Sequence, residues 1–501
     1  MAISAQAAGR GLTTRADAGG APHTAALSPA TDAPLFVDLD GTLIRSDLLL
    51  EGVLDLIRRN PLQACLLPIW LIGGKSHLKQ QVALHADIDA AGLPYDVPFL
   101  EFLKAEHARG RILVLATASH RRYAEQVARH LGIFSAVLAT DGATNLSGAM
   151  KLRAILAYTG GRDFEYAADA RRDVAIWRRA QGAVVVNASP RVLDQAQRVT
   201  RVTRVFKAPV AGWRPYLQAL RVHHWAKNLL LFVPLLTAHQ WANTHALWQL
   251  APAFLAFSLC ASGVYVLNDL LDAPADRLHP RKRGRPVAAG AISPAHAAVL
   301  ALLLPLASLL IAASMPLRFM WALLAYLVLA TGYSLYLKRH ALVDVLVLAG
   351  LHTLRVAAGA IAIEVPLSFW LLAFSVFLFF SIALVKRCAE LRVAGRVPGT
   401  GIAGRDYSAG DLPQLRGLGM ASGYVAVLVF ALYLNSADVA ARYTHPDWLW
   451  LSCPALLYWI SRAWIREGHG EMHDDPLIYA LRDPASYAVL ATMLAAVLLA
   501  L

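Results

Sequence analysis

Cysteine is scarce in this chain of 501 residues: there are four, Cys65, Cys260, Cys388 and Cys453, and no two share a disulfide-framework or metal-binding spacing. That excludes a cysteine-stapled scaffold and a thiolate zinc site. Charge is scarce too. Asp, Glu, Lys and Arg supply 16 % of the residues against 57 % hydrophobic, and the mean hydropathy is +0.46. Soluble domains carry about 25 % charged residues, so a large part of this chain must lie in lipid. Acid is the scarcer sign, 34 residues against 47 bases, giving a formal net charge of +13. No aromatic-and-basic ribbon or zinc knuckle accompanies that excess, which argues against a nucleic-acid partner and for anionic headgroups. Residues 1–33 are rich in Ala, Gly and Thr without an apolar h-region, so the expectation there is a disordered tail rather than a signal peptide.

The apolar excess is unevenly spread. Residues 34–205 read as a soluble α/β domain, 206–216 as a Pro/Gly linker, and 217–501 as membrane. In the first part, 'PLFVDLDGTL' (34–43), 'RILVLATAS' (111–119), 'EYAADA' (165–170) and 'GAVVVNAS' (182–189) are short apolar runs separated by helical stretches. That is the rhythm of a doubly wound parallel sheet, with a mostly helical insert over 46–108. Trp213, Tyr216 and Trp225 then suggest an interfacial helix. About nine candidate spans follow, near 226–241, 247–268, 295–314, 318–336, 342–363, 367–386, 418–435, 447–465 and 485–501. Bases crowd the loops after the even spans, among them Arg277, Lys338, Arg339, Arg392 and Arg466, which places those loops and the N-terminal domain in the cytoplasm. The expected location is the cell inner membrane, crossed many times.

The first chemical motif is 'DLDGTL', which delivers Asp38 and Asp40 at a strand end. One carboxylate can attack phosphorus while a second exchanges the proton of the leaving group. Positive charge must then hold the phosphoryl oxygens. Thr117, Lys151 and the pair Asp169 and Asp173 in 'YAADARRD' complete a set that resembles the haloacid-dehalogenase-like phosphatase superfamily. The resemblance implies Asp38 as nucleophile, Asp40 as general acid/base, Thr117 and Lys151 as phosphate holders, and Mg²⁺ on Asp38 and Asp169 with support from Asp173. It also makes residues 46–108 a helical cap. The superfamily's fourth motif usually reads G-D-x-x-x-D, and Ala168 stands here in place of its Gly, which puts the turn in question.

The second motif is 'NDLLDAPADRLHPRKRGRP', beginning at Asn268 after an apolar run. Asn268, Asp272 and Asp276 recur at i, i+4 and i+8, with Asp269 one position round, so a helix presents them along one side. Acids at a membrane helix end can hold Mg²⁺ shared with substrate phosphates. Lys282, Arg283 and Arg285 can neutralise phosphate oxygens. Together they describe a diphosphate site, where a solvated loop would need only the bases.

The motif resembles N-D-x-x-D-x-x-x-D of the UbiA-type intramembrane prenyltransferase superfamily, whose fold implies about nine helices over 217–501. The second acidic motif of that superfamily, D-x-x-x-D, is missing. Its place reads 'GYSLYLKRHALVD', with Asp344 alone and with Tyr333, Tyr336, Lys338 and Arg339 nearby. Together with 'RVHHWAKN' (221–228) and 'LVKRCAEL' (384–391), this looks like the branch represented by decaprenyl-phosphate phosphoribosyltransferase. There the acceptor is a polyprenyl phosphate and the donor phosphoribosyl diphosphate. Lys227, Lys338, Arg355 and Lys386, with Arg387, lie in or at the ends of spans, where a charge needs an anionic partner. The expected function is a bifunctional Mg²⁺-dependent membrane enzyme with transferase and phosphatase sites, open to homo-oligomer formation. The alternative is prenyl transfer from a prenyl diphosphate to an aromatic or other small acceptor, with a non-catalytic N-terminal domain.

Overall fold

The computed structural model describes residues 33–141, 146–207, 212–279, 282–394, 405–472, 480 and 482–501. The tail expected over 1–33 therefore lies outside the described residues except for Ala33, as do 208–211 of the linker. The N-terminal part is built on a six-stranded sheet: β1 (Leu35–Val37), β2 (Leu113–His120), β3 (Ala136–Thr140), β4 (Glu165–Ala168), β5 (Gly182–Val186) and β6 (Arg201–Phe206). All pairs are parallel, in the order β3-β2-β1-β4-β5-β6. Chain direction across the sheet reverses at β1, and the crevice beyond the carboxyl ends of strands at such a reversal is where ligands bind.

Four strands were expected and six are present. β3 is only partly buried over its first three residues, and β6 carries Arg201, Thr203 and Arg204 at the sheet edge where four of its six residues are exposed, so neither shows a buried-strand run. β1 is the opposite case, with every residue buried between two helical layers. Leu35, Val37, Leu113 and Leu115 pack on one face, and Phe36, Val114, Ala116 and Tyr166 on the other.

The insert between β1 and β2 is helical, as the sequence leads one to expect: α1 (Leu48–Arg59), α2 (Pro61–Ala64), α3 (Leu67–Ile72), α4 (Lys75–His85) and α5 (Val97–Ala108). Asp47 and Asp96 cap α1 and α5 by accepting from free backbone N–H groups of their first turns. The outer layers of the sheet are α6 (Arg121–Leu131), α7 (Ala149–Thr159), α8 (Val174–Trp177) and α9 (Pro190–Val199).

The second part is all helical: α10 (Arg214–Leu220), a 3₁₀ run over Val222–Phe232, α11 (Val233–Thr237), α12 (Thr244–Leu278), α13 (Pro294–Ala312), α14 (Leu317–Leu335), α15 (Val343–Ala362), α16 (Phe369–Ala394), α17 (Leu412–Leu434), α18 (Ala437–Arg442), α19 (Ser452–His469) and α20 (Pro484–Ala500). Among the described residues, six helices, α12 to α17, are long and apolar enough to cross a bilayer. The expected count was nine, and three segments differ. The stretch near 226–241 is the 3₁₀ run and the five-residue α11, pressed onto α15 at Gly359, where an added Cβ would lie 2.1 Å from the Leu231 carbonyl oxygen. The α19 helix carries Arg462, Arg466 and Glu467, and α20 has 17 residues, below the ~20 a helix needs to span.

The two parts touch through the insert. Arg277, near the end of α12, donates to both carboxylate oxygens of Glu51 (2.8 and 3.4 Å) and to the Gly92 carbonyl (3.1 Å). Arg339, beyond α14, donates to the Arg58 carbonyl at the end of α1 (2.8 Å). Leu54 is buried in one apolar cluster with Val266, Leu270, Ala273 and Val287.

Candidate active sites

Asp38 and Asp40 follow β1, and their carboxylates are fixed by the backbone around them. Asp38 Oδ1 accepts from Leu39 N (2.9 Å), and Asp40 Oδ1 accepts from Leu48 N at the start of α1 (3.0 Å). Asp40 Oδ2 accepts from the Ser119 hydroxyl, a short contact. Gly41 must be glycine: it has φ of +78°, and a Cβ would meet Asp169 Oδ2 at 2.5 Å. Ala168 in place of the usual Gly raises no such difficulty, since it ends β4 without a positive φ.

The expected phosphatase residues converge. Lys151 Nζ lies 2.9 Å from Asp38 Oδ2 and donates a hydrogen bond to the Tyr166 hydroxyl (2.9 Å), which in turn donates to Asp173 Oδ1 (3.1 Å). Thr42 donates to Asp169 Oδ1 (3.1 Å), and buried Thr117 Oγ1 accepts from Ser119 N (3.0 Å). Carboxylate oxygens of Asp38, Asp169 and Asp173 lie within 4.8 Å of one another, the one grouping of metal-ligating side chains found among the described residues. Burial and the neighbouring Asp38 and Asp173 charges push Asp169 up to about 7; burial and Asp38 push Asp173 up to about 6. Asp38 Oδ2 is buried and, among the described residues, meets only the Lys151 ammonium. Three carboxylates crowded this closely fit a hard divalent cation such as Mg²⁺.

Asp40 is also pushed up to about 6, first by burial and then by Asp47, against the Ser119 hydrogen bond. A carboxyl that holds its proton up to about pH 6 is better suited to donate one than an ordinary carboxylate. Lys79 reaches from α4 of the cap to the Ala118 carbonyl (2.6 Å), and burial lowers its pKa. Ser119, Tyr166 and Lys79 are the residues the sequence reading missed here. Tyr166 lay in plain sight in 'EYAADA', but a tyrosine inside a strand reads as core.

In the membrane part, Asn268, Asp269, Asp272 and Asp276 share the last turns of α12, and bases meet each acid. Lys338 Nζ sits among Asn268 Oδ1 (3.1 Å) and both oxygens of Asp272 (3.2 and 3.1 Å). Arg285 bridges Asp269 (3.1 Å) and Asp276 (2.7 Å), and Arg221 reaches Asp269 at 2.5 Å. Asn268 and Asp272 thus already converge on one cation, the lysine ammonium, and they are the oxygens that fit Mg²⁺ in its place. Asp269 and Asp276 are turned to arginine instead. Lys282 is exposed in the turn that follows α12.

Other expected residues are placed apart from this cluster. Asp344, fully buried, takes Arg387 (2.5 Å), Arg405 (3.0 Å) and the Tyr407 hydroxyl (2.5 Å), and Arg387 also contacts Glu390. Tyr333 accepts from the same Arg405 (3.3 Å). Buried Arg355 donates to Asn228, the Leu351 carbonyl and the Tyr326 hydroxyl (2.7–2.8 Å), bracing the 3₁₀ run against α14 and α15. Each of its three nitrogens is satisfied inside the bundle, where a ligand-binding role had been expected. Tyr336 is exposed against His340, and Lys227 and Lys386 are half-buried.

The fold and these two acidic sites define a parallel-sheet domain with a crowded carboxylate cluster, joined to a helical membrane domain with a second acidic cluster. The haloacid dehalogenase-like hydrolase model matches residues 35–178, and the UbiA prenyltransferase family model matches residues 230–468. The chain belongs to the UbiA prenyltransferase family and carries a haloacid dehalogenase-like domain ahead of it. The uncharacterized protein y4nM of Sinorhizobium fredii is 36 % identical over 476 residues, covering 93 % of this chain and 91 % of its own. The nodulation protein NoeC of Azorhizobium caulinodans is 35 % identical, over 54 % of this chain and 88 % of its own. The decaprenyl-phosphate phosphoribosyltransferase of Mycobacterium tuberculosis is 33 % identical, over 44 % and 74 %.

Proposed function

We propose that this membrane protein transfers a 5-phosphoribosyl group from phosphoribosyl diphosphate to a polyprenyl phosphate, and that its N-terminal domain removes the 5-phosphate from the lipid so formed. The observation that carries the reading is Lys338. Where other family members are expected to place a second acidic motif, this chain puts an ammonium between Asn268 and Asp272. A site with a base among its acids suits an acceptor that is itself anionic. The similarity to a decaprenyl-phosphate phosphoribosyltransferase supports the same choice.

In the transferase, Arg285 and Lys338 are the bases that turn from carboxylates to phosphate oxygens when substrate enters. Mg²⁺ held by Asn268 and Asp272 would polarise the leaving diphosphate. The lipid phosphate is ionised near neutral pH, so its oxygen can attack the anomeric carbon without a general base. Catalysis is then positioning and electrostatics. In the phosphatase, the Asp38 carboxylate attacks phosphorus, Lys151 and Thr117 hold phosphoryl oxygens, and protonated Asp40 donates to the leaving hydroxyl. Asp40 then takes the proton of the water that cleaves the aspartyl-phosphate. Mg²⁺ at Asp38, Asp169 and Asp173 would neutralise the crowded carboxylates and the phosphoryl charge.

The test is incubation of membranes containing the full chain with labelled phosphoribosyl diphosphate and a polyprenyl phosphate, followed by analysis of the lipid. A ribosyl lipid is expected, dephosphorylated in the wild type and phosphorylated in Asp38→Asn. Prenylation of an aromatic acceptor with no ribosyl lipid would replace this reading with the alternative. Equal product ratios from the two proteins would separate the phosphatase from the transferase.

A further inference from the structure

The cap carries an apolar surface that neither active site uses. From Asn60 to Gly74 the chain reads 'NPLQACLLPIWLIGG', fifteen residues without a charge, forming α2 and α3. Its inner side packs on the cap: Ala64, Leu67 and Trp70 lie against Leu56 and Val82, and Trp70 stacks on His85. The outer side is Leu62, Cys65, Leu66, Ile69 and Ile72, spaced at three and four residues along one helical face. It is bare: Leu62 is 83 % exposed, Ile69 60 % and Ile72 86 %, with Leu71 beside them at 57 %. A contiguous apolar face of this kind marks contact with lipid or protein rather than water.

Three observations on the page choose lipid. The face is flanked by bases, Arg58 and Arg59 before it and Lys75 after it, with no acid between Asp55 and Asp87. That is the pattern of an interfacial helix seated among anionic headgroups. The root of the arm is tied to the membrane part at the bilayer boundary: Arg339, just past the end of α14, holds the Arg58 carbonyl two residues before the arm begins. Arg277, near the end of α12, holds Glu51 on the same cap helix. The ends of α12 and α14 lie on one face of an antiparallel run of spans, so the arm leaves the docked cap at the level where lipid begins. The arm is also too short to span, at twelve residues over Pro61–Ile72.

We propose that α2 and α3 form an interfacial arm of the cap that lies in the headgroup and upper acyl layer beside the spans, so that the phosphatase domain rests on the bilayer through its own contact as well as through α12. The Gly73–Gly74 turn, with Gly74 at φ of +94°, returns the chain from the arm to α4, which carries Lys79 to the strand end beside Asp40. The arm therefore sits one turn away from a residue at the phosphatase crevice. A phosphate carried on a lipid would meet that crevice from the membrane side, while one dissolved in water would not use the arm.

The immersion is testable without either enzymatic activity. The full chain carrying Cys453→Ser is labelled with a nitroxide at exposed Cys65, leaving Cys260 and Cys388 buried, and is reconstituted into vesicles containing anionic phospholipid. A second protein carries Cys65→Ser and Ile72→Cys, and a third places the label at exposed position 153 on α7 (Arg153→Cys) as a water-facing reference. Collisions with dissolved oxygen should rise, and those with a water-soluble nickel chelate fall, several-fold at 65 and 72 relative to 153. The triple variant Leu62→Asp, Ile69→Asp, Ile72→Asp should return the label at 65 to the reference values. Equal accessibility at 65, 72 and 153 would overturn the proposal. So would spin–spin broadening at 65 that vanishes on dilution with unlabelled protein, which would make the face a contact between two copies.

Discussion

The two acidic clusters of this protein are neutralised in opposite ways. In the sheet domain, Asp38, Asp169 and Asp173 crowd together beyond the strand ends with Lys151 in contact and Arg172 nearby, and two of them are still driven toward the neutral form. In the membrane domain, each acid of the α12 motif has a basic partner on a long side chain drawn from elsewhere: Arg221, Arg285 or Lys338. The first cluster keeps more acid than its bases offset, which suits a metal ion. The second is balanced, so on the proposed function binding there would be an exchange, in which phosphates take the bases and free the carboxylates. Two sets of acids near phosphate thus imply different costs: one must be filled, the other must be opened.

Removing the nucleophile tests the first cluster most severely. Asp38→Asn should lower phosphatase turnover by a factor on the order of 10⁴ or more while leaving ribosyl transfer in place. In the second cluster, Asp272→Ala removes the carboxylate under Lys338 and should cost on the order of 10² to 10³ in transfer rate with the phosphatase unchanged. Asp276→Ala should have a smaller effect, because Arg285 keeps Asp269. Near wild-type transfer from both variants would remove the diphosphate site from α12.

Proton linkage distinguishes the clusters further. Asp169 and Asp173 hold protons in the folded domain to about pH 7 and 6, above the ordinary carboxylate value. The folded state therefore binds more protons than the unfolded one between about pH 4 and 7, and stability must fall as pH rises through that window. Added Mg²⁺ should raise the melting temperature of the N-terminal domain more at pH 8 than at pH 5; an equal shift at both would mean the carboxylates are not its ligands. Hydrolysis of a phosphomonoester with a poor leaving group should also fall by about tenfold per pH unit above the Asp40 value of about 6. Asp40→Asn should remove that limb. The smallest change expected is for Lys338→Arg, which keeps the charge and should raise the KM of the phosphorylated substrates by a few-fold, less than Lys338→Ala.

The sheet domain was largely legible because its chemistry is local. Asp38, Asp40, Thr117, Lys151, Asp169 and Asp173 sit at strand ends or helix starts, and parallel strands bring such ends together. What was hidden there, Ser119 and Lys79, acts through contacts of 79 and 39 positions that no periodicity reveals. The α12 acids were legible from helical spacing, whereas their partners were not. Arg221 precedes them by 48 residues and Lys338 follows by 66, so the pairing depends on how the helices pack. Asp344 and Arg355 have partners that no spacing in the sequence marks. An ionisable residue in a span invites a functional reading, and in this structure both are engaged by bundle neighbours. The count of spans fell short for a related reason: composition marks apolar segments, but 3₁₀ geometry and close packing at Gly359 decide whether one of them is a free-standing helix.

The pairing of Glu51 with Arg277 also bears on how the chain is made. Its members are 226 residues apart, and the sheet domain emerges from the ribosome well before α12 has entered the bilayer. Until then Glu51 and the α1 residues Leu50, Leu54 and Ile57 lack their partners on the membrane part, so the newborn domain carries an exposed acid and an apolar strip. Docking closes only after α12 has been inserted with its charged end on the domain's own side. An inverted first span would leave the cap undocked, so the clasp doubles as a check on insertion.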